Sequence, residues 1–194
     1  MSGFDRHTGK IAVYNVDDVD TDRIIPARFL TRVSRSGYGE LLFKDVRDAD
    51  FPLDQPSAAG ATILVAGKNF GCGSSREHAV WAIQQYGFEA VISPRFGDIF
   101  RNNCTKNGLV PVQVDAETGE RLMRMVEADP TTVFEIDIAS RTLRAGDVEV
   151  TFPLDDGTQH RFLEGLDDIG LTLQHEDDIT AFEQRRPTHL PRAS

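Results

Sequence analysis

Short, uniformly apolar runs recur along the first two thirds of the chain, separated by stretches with helical periodicity. The runs at Thr62–Ala66, Ala90–Ser93 and Leu109–Val114 have the length of strands and few polar positions. This pattern is typical of strands that are buried on both faces of a parallel sheet. Strands that alternate with helices therefore predict an α/β fold with largely parallel pairing.

The periodic stretches between and after these runs predict three helices. Gly87 and Gly108 follow two of them and Pro130 follows the third, at positions where these residues commonly end a helix. The predicted helices are Ser75–Tyr86, Phe96–Lys106 and Ala116–Ala128. Earlier in the chain, Gly9–Val16 contains spaced apolar residues and predicts the opening strand.

The pattern changes in the last third. Phe134–Ile138 and Val148–Phe152 alternate apolar with polar residues, with Arg141–Asp147 between them. This alternation predicts a two-stranded antiparallel segment that forms a second, smaller sheet.

The tail, Thr158–Arg186, reads as two helical pieces around a break at Gly170, and residues 187–194 read as a loose end. No repeat or linker divides the chain, so one domain spanning residues 1–194 is expected.

The formal net charge of −10 restricts the function. Nucleic-acid binding is not expected, because it needs a basic face to neutralise phosphates. An anionic ligand would need a local group of positive charges. No apolar run approaches the length of a membrane helix, and no signal peptide is evident, so a cytoplasmic protein without a membrane partner is expected.

The two cysteines, Cys72 and Cys104, lie far apart in sequence and do not form a metal-binding motif. We therefore expect no metal or iron–sulfur cluster to be bound by this chain. Cys104 follows Phe100 at helical spacing and is expected to lie in the core.

Residues 69–78 contain the chemistry-bearing motif of the chain, Asn-Phe-Gly-Cys-Gly-Ser-Ser-Arg-Glu-His. Its glycines allow a tight turn and a close backbone approach to a ligand. The following helix directs its unpaired N–H groups towards that turn. Arg76 adds a positive charge there although it opposes the helix dipole, which favours a role in binding an anion.

A purely structural interpretation also fits, because Ser74 and Glu77 match the S-x-x-E capping box. Carboxylate and phosphate ligands both remain open, but the segment lacks the GK[ST] ending of a P-loop. A hydrolase triad has little support, since no G-x-S-x-G motif is present.

Three segments together resemble a known family. Residues 71–78 resemble the signature of the aconitase superfamily's swivelling domain. Two further segments resemble its isopropylmalate isomerase small-subunit branch. One is residues 19–26, continuing into Phe29-Leu30, Gly37-Tyr38-Gly39 and Leu42-Phe43, and the other is residues 165–175. The resemblance covers about His7 to Arg186.

The resemblance implies a swivelling β/β/α domain and the interconversion of 2- and 3-isopropylmalate through isopropylmaleate, a step of leucine biosynthesis. It implies a large partner subunit that carries a [4Fe–4S] cluster and a dicarboxylate as the small-molecule substrate. This chain would itself bind no cofactor.

By motif position, the resemblance assigns Ser74 as the catalytic base and Ser75 and Arg76 as carboxylate-binding residues. It assigns Thr31 and Arg32 to recognition of the substrate side chain, within a mobile loop at residues 29–40, hereafter the substrate loop. The supporting residues that it implies are Asp20, Thr21, Asp22, Gly71, Gly73, Glu77 and His78.

Two other functions remain open. The same architecture could act on a different diacid, such as homoaconitate, citraconate or a methylated malate. A non-catalytic module that binds an anion or RNA through the glycine-rich turn is the alternative from another class, and the charge of −10 weighs against RNA.

Overall fold

The computed structural model describes residues 3–31, 34–73 and 76–186. In chain order the strands are β1 (Arg6–Tyr14), β2 (Ile63–Ala66), β3 (Ala90–Ser93), β4 (Val110–Gln113), β5 (Val133–Asp137), β6 (Thr142–Ala145) and β7 (Val148–Thr151). They form a seven-stranded sheet with the spatial order β4-β3-β2-β1-β5-β6-β7.

Strand β1 joins a parallel half of the sheet to an antiparallel half. Its residues 11–14 pair in parallel with β2, while its residues 6–10 pair antiparallel with β5. Strands β2, β3 and β4 continue the parallel half, and β5, β6 and β7 form the antiparallel half. The sheet is therefore mixed.

Helices cover both faces of this sheet. They are α1 (Thr21–Ile24), α2 (Glu77–Tyr86), α3 (Asp98–Asn107), α4 (Ala116–Ala128), α5 (Asp156–Glu164), α6 (Asp168–Leu173) and α7 (Glu176–Arg185). Successive strand residues point to opposite faces. Leu64 accordingly joins a core cluster with Ile83 of α2 and Phe100 of α3, whereas Ile63 joins a second cluster with Leu122 of α4.

The α/β fold class predicted from sequence is confirmed, and so is the parallel pairing of the strands that alternate with helices. The sheet as a whole is not largely parallel, because β5, β6 and β7 add an antiparallel half. Strands β2, β3 and β4 lie within one residue of the predicted runs, and α4 has the predicted bounds. Helices α2 and α3 each begin two residues later than predicted. Their N-cap residues, Arg76 and Gly97, have extended backbone conformations and cannot belong to the helices.

The antiparallel region differs from the prediction in two details. It is not a separate two-stranded sheet, because β5 pairs with β1. The predicted connection at 141–147 contains β6, whose Arg144 forms ion pairs with Glu135 of β5 and Glu149 of β7. These partners explain how a polar segment forms a strand.

The tail contains three helices rather than two pieces around Gly170. The break lies at Gly165, which ends α5 in the left-handed conformation at φ 66°. Gly170 lies inside α6, where its N–H donates to the capping carboxylate of Asp167 at 2.7 Å. Residues 187–194 lie outside the described residues. In the ranges that the structure describes, no helix combines the length and the apolar character needed to span a bilayer.

Candidate active site

The glycine-rich turn lies where three parallel strands end. We call residues 67–73, which follow β2, the glycine segment. It runs between the segment after β1 and the segment after β3, with bridges from Cys72 to Asp20 and from Phe70 to Phe96. Ligand sites of open α/β sheets form in this position, at the carboxyl ends of parallel strands.

Two glycines make this packing possible. Gly71 has φ 74°, and a Cβ atom at this position would lie 2.2 Å from the ring of Phe100. A Cβ atom on Gly97, after β3, would lie 2.5 Å from the carbonyl oxygen of Gly71. Only residues without side chains allow the two backbones to approach this closely.

Gly73 is required for its backbone conformation rather than for close packing. Its φ is 89°, and the nearest neighbour of an added Cβ would be Asp20 at 3.5 Å, an ordinary contact distance. The structure therefore accounts for both glycines of the motif by backbone geometry.

The Asp20-Thr21-Asp22 turn is attached directly to the glycine segment. The Thr21 N–H donates to the Cys72 carbonyl at 3.0 Å, and the Gly71 N–H donates to the Val19 carbonyl at 2.7 Å. The Asp20 carboxylate caps α1 by accepting from the Arg23 N–H at 2.7 Å. These bonds fix the first turn of α1 beside the motif.

Arg76 and Asp22 form an ion pair across the site. The Arg76 Nη1 donates to the Asp22 Oδ1, and the Arg76 side chain is only 17% exposed. Arg76 occupies the N-cap of α2, immediately beyond the two serines. Helix α1, which carries Asp22, is hydrogen-bonded to the glycine segment. The carboxylate that orients Arg76 is therefore held beside the glycine segment.

Glu77 lies earlier in α2 than the capping box predicted from sequence requires, and Ser74, the other residue of that box, lies outside the described residues. Glu77 is the first residue of α2, and its Oε1 accepts a hydrogen bond from the Asn107 Nδ2 at 3.0 Å. Glu77 therefore links the start of α2 to the end of α3. His78 is half-buried, and its ring lies 5.4 Å from that of Tyr38 and 4.6 Å from that of Trp81.

A cavity of about 230 Å³ opens beside the glycine segment, towards the start of α3. Its wall includes charged residues that the sequence argument missed, namely Arg95 and Asp98. The signal that would have found them is their position directly after β3, whose end lies beside that of β2 in a parallel sheet.

Cys72 also lines this cavity. Partial burial raises its pKa above the ordinary value, and the negative charges of Asp20 and Asp18 raise it further. A protonated thiol is a poor nucleophile and a poor metal ligand. Cys104 is fully buried, as predicted, and burial raises its pKa well above the ordinary value.

The structure describes some of the predicted site residues and not others. Ser74, Ser75 and Arg32 lie outside the described residues. Thr31 is described and exposed to solvent. Within residues 3–31, 34–73 and 76–186, no three His, Cys, Asp or Glu side chains are grouped as ligands for a metal ion.

Comparison with known families gives two matches along the chain. The model of the aconitase C-terminal domain matches residues 1–117. The model of the C-terminal domain of the 3-isopropylmalate dehydratase small subunit matches residues 168–192, which include α6 and α7.

Several proteins are similar over nearly their whole length. The 3-isopropylmalate dehydratase small subunit of Rubrobacter xylanophilus is 53% identical over 95% of both chains. That of Frankia alni is 53% identical over 100% of both. A crystal structure of 3-isopropylmalate dehydratase from Methanocaldococcus jannaschii is 28% identical with a TM-score of 0.65, covering 92% of this chain and 99% of that one.

Proposed function

Because this chain belongs to the 3-isopropylmalate dehydratase small subunit family, we propose that it acts in the interconversion of 2- and 3-isopropylmalate. The reaction passes through isopropylmaleate, by loss and re-addition of water, and serves leucine biosynthesis. The chain works as one domain in the cytoplasm and is active only when bound to a large iron–sulfur subunit.

The observation that carries the proposal is the Arg76–Asp22 pair beside the glycine segment. Among the described residues, Asp22 is the only acceptor for the Arg76 guanidinium, and it takes one of five N–H donors. A carboxylate of the substrate would bind the remaining donors in a two-pronged arrangement. Arg76 is thus the local positive group that a chain with net charge −10 needs for a dianionic ligand.

The proton transfer is assigned to Ser74, which directly follows Gly73. Its Oγ, as the alkoxide, removes the carbon-bound proton and later returns it. A serine alkoxide needs stabilisation by positive charge and N–H donors. Arg76 and the start of α2 support this assignment, and Ser75 adds a further donor to a substrate carboxylate.

The cluster belongs to the partner rather than to this chain. When bound there, it supplies the Lewis acid for the departing hydroxyl group. Three cysteine ligands are needed, but this chain has only Cys72, with its raised pKa, and the fully buried Cys104. Those two residues do not fit such a ligand set.

The substrate loop recognises the branched side chain of the substrate through Thr31 and Arg32. Asp20 and Thr21 hold the glycine segment, and Asp22 orients Arg76. Glu77 and His78 fix the start of α2 against α3 and against the end of the substrate loop. The residues of the Asp20–Asp22 turn and of the start of α2 therefore support the reaction without contacting the reacting atoms.

The proposal is tested by mixing this chain anaerobically with the large subunit and a reconstituted cluster. We expect the complex to interconvert the two isopropylmalates and the isolated chain to be inactive. The same complex is assayed with homoaconitate, citraconate and 2-methylmalate. Turnover of one of these diacids with none of isopropylmalate would reject the assigned substrate. Tight RNA binding by a chain that does not associate with the large subunit would reject the enzyme function.

A further inference from the structure

The side chain of Gln85, in the last turn of α2, binds the backbone of the substrate loop at two points. Its Nε2 donates to the Arg35 carbonyl at 2.7 Å, and its Oε1 accepts from the Tyr38 N–H at 2.8 Å. The two halves of one amide group therefore satisfy a donor and an acceptor of the loop. This arrangement fixes the path of residues 35–38 along the helix.

Ring contacts strengthen the same attachment. The Arg35 guanidinium lies 5.4 Å from the centre of the Trp81 ring, one turn before Gln85. Tyr38 is fully buried, and its ring lies 5.7 Å from that of Trp81. A Cβ atom on Gly39 would lie 2.5 Å from the Gln85 carbonyl oxygen, so the backbones of loop and helix are in direct contact.

The attached stretch is polar and otherwise exposed. Residues 34–37 are solvent-exposed, and Ser34 and Ser36 bond to each other at 2.8 Å. Such a segment buries little apolar surface that would fix its position. The anchor at Gln85 and the burial of Tyr38 therefore fix the end of the loop that follows Thr31.

We propose that Gln85 is a positioning residue that sets the selectivity of the enzyme for the substrate side chain. It does not contact the substrate. It holds residues 35–38 of the substrate loop on α2, and this fixes the end of the loop that follows Thr31. The inference rests on the proposed function, because it assigns the loop to recognition of the isopropyl group.

Loss of the anchor should reduce discrimination more than catalysis. A substrate loop that moves fits the isopropyl group less closely, and a poor fit to one or two carbon groups changes kcat/KM by about 10-fold or more. The proton transfer at Ser74 does not depend on the position of the substrate loop. The KM for isopropylmalate should therefore rise while kcat changes little.

The test uses the variants Gln85→Leu and Gln85→Glu in the full chain. The leucine variant removes both hydrogen bonds, and the glutamate variant removes the donor to the Arg35 carbonyl. Gln84→Leu is the matched control. The Gln84 amide donates to the Asn107 carbonyl at 2.9 Å, on α3, and is not bonded to the substrate loop.

Hydrogen exchange measures the anchor directly, because the Tyr38 N–H is one of the bonded groups. In the complex with the large subunit, we expect Gln85→Leu to speed exchange of that amide by about 10-fold. Gln84→Leu should leave it unchanged. Unchanged exchange in both Gln85 variants would overturn the anchor.

Kinetics measure the consequence. The ratio of kcat/KM for isopropylmalate to that for 2-methylmalate, which lacks the branched group, should fall about 10-fold in Gln85→Leu. Gln84→Leu should keep the wild-type ratio of kcat/KM values. A variant that only loses stability should also keep this ratio, because fewer active molecules lower both values equally. Faster exchange with an unchanged ratio would overturn the role in selectivity.

Failure of the proposed function gives a different result. A wild-type complex inactive on isopropylmalate would reject that function and the selectivity role with it. Exchange at Tyr38 would still decide whether Gln85 anchors the loop.

Discussion

The guanidinium of Arg76 donates to the carboxylate of Asp22, across 54 positions of the chain. Arg76 is at the N-cap of α2, and Asp22 is in the first turn of α1. The pair joins two of the three segments that resemble the family motifs. It also gives each a physical role, since Asp22 orients the group that we propose binds a substrate carboxylate.

Removing the charge of Asp22 should weaken substrate binding. In Asp22→Asn the guanidinium loses its ionic partner and its fixed orientation, so we expect the KM for isopropylmalate to rise by about 5- to 10-fold. Stability should fall by no more than about 1 kcal/mol, because Asp22 is half exposed. Steady-state kinetics and urea unfolding measure the two effects.

Asp147→Asn is the control for this variant. It breaks the exposed ion pair between Asp147, in the turn between β6 and β7, and Arg121 of α4, and neither residue belongs to the proposed site. An equal rise in KM in both variants would show that Asp22 has no specific role.

Replacing the guanidinium itself should have a larger effect. Arg76→Lys keeps the charge but loses the planar pair of donors, so KM should rise by about 10- to 100-fold. Arg121→Lys, on the exposed side of α4 and outside the site, should behave as wild type. If Arg76→Lys had a normal KM, a two-pronged carboxylate contact at this position would be ruled out.

Gly71 should not tolerate a side chain. Gly71→Ala meets both a left-handed backbone and the Phe100 ring, so we expect a loss of about 3 kcal/mol in the free energy of unfolding. Gly60→Ala is a matched control, since Gly60 has the same φ of 74° with no atom within 4 Å of an added Cβ. It should cost only about 1 kcal/mol, the strain of the left-handed conformation alone.

Urea unfolding of the isolated chain measures the free energy of unfolding of both glycine variants. Equal losses would mean that the Phe100 contact is relieved by movement of the ring. In that case close packing would not explain the glycine at position 71.

The two thiols should react very differently. Burial and the charges of Asp20 and Asp18 raise the pKa of Cys72, so less thiolate is present at pH 8 than for an ordinary cysteine. Alkylation of the native chain should therefore be slow at pH 8 and should accelerate as the pH rises above the ordinary thiol range. Cys104 should react only after unfolding, because it is fully buried.

Mass spectrometry after timed alkylation, with and without urea, measures both rates. Asp20→Asn should lower the pKa of Cys72 and speed its reaction. The substitution removes the negative charge of Asp20, which raises that pKa more than any cause except burial. Reaction of Cys72 at the rate of a free thiol would contradict the account of its surroundings.

The sequence predicted those parts of the fold that depend on local signals. Uniformly apolar runs located β2, β3 and β4, and Gly87 and Gly108 marked two helix ends because both adopt positive φ angles. Strand β6 was missed because its stability comes from partners on two other strands. Gly170 was misread as a break because Asp167 supplies the cap that allows α6 to continue through it.

The site was predictable only by motif. Arg76 and the Asp20–Asp22 turn were identified separately, but their contact depends on the parallel order of β1 and β2. The Glu77–Asn107 bond likewise depends on the packing of α2 against α3. The roles of Ser74, Ser75, Thr31 and Arg32 stay predictions.

The most direct test of the account is the turnover of isopropylmalate by a complex that contains Ser74→Ala. Assembly with the large subunit should be intact, because the change removes one hydroxyl group, while kcat should fall by about 10³-fold. An assembled Ser74→Ala complex with a near-normal rate would contradict the account, because the proton transfer would then belong to a residue other than Ser74.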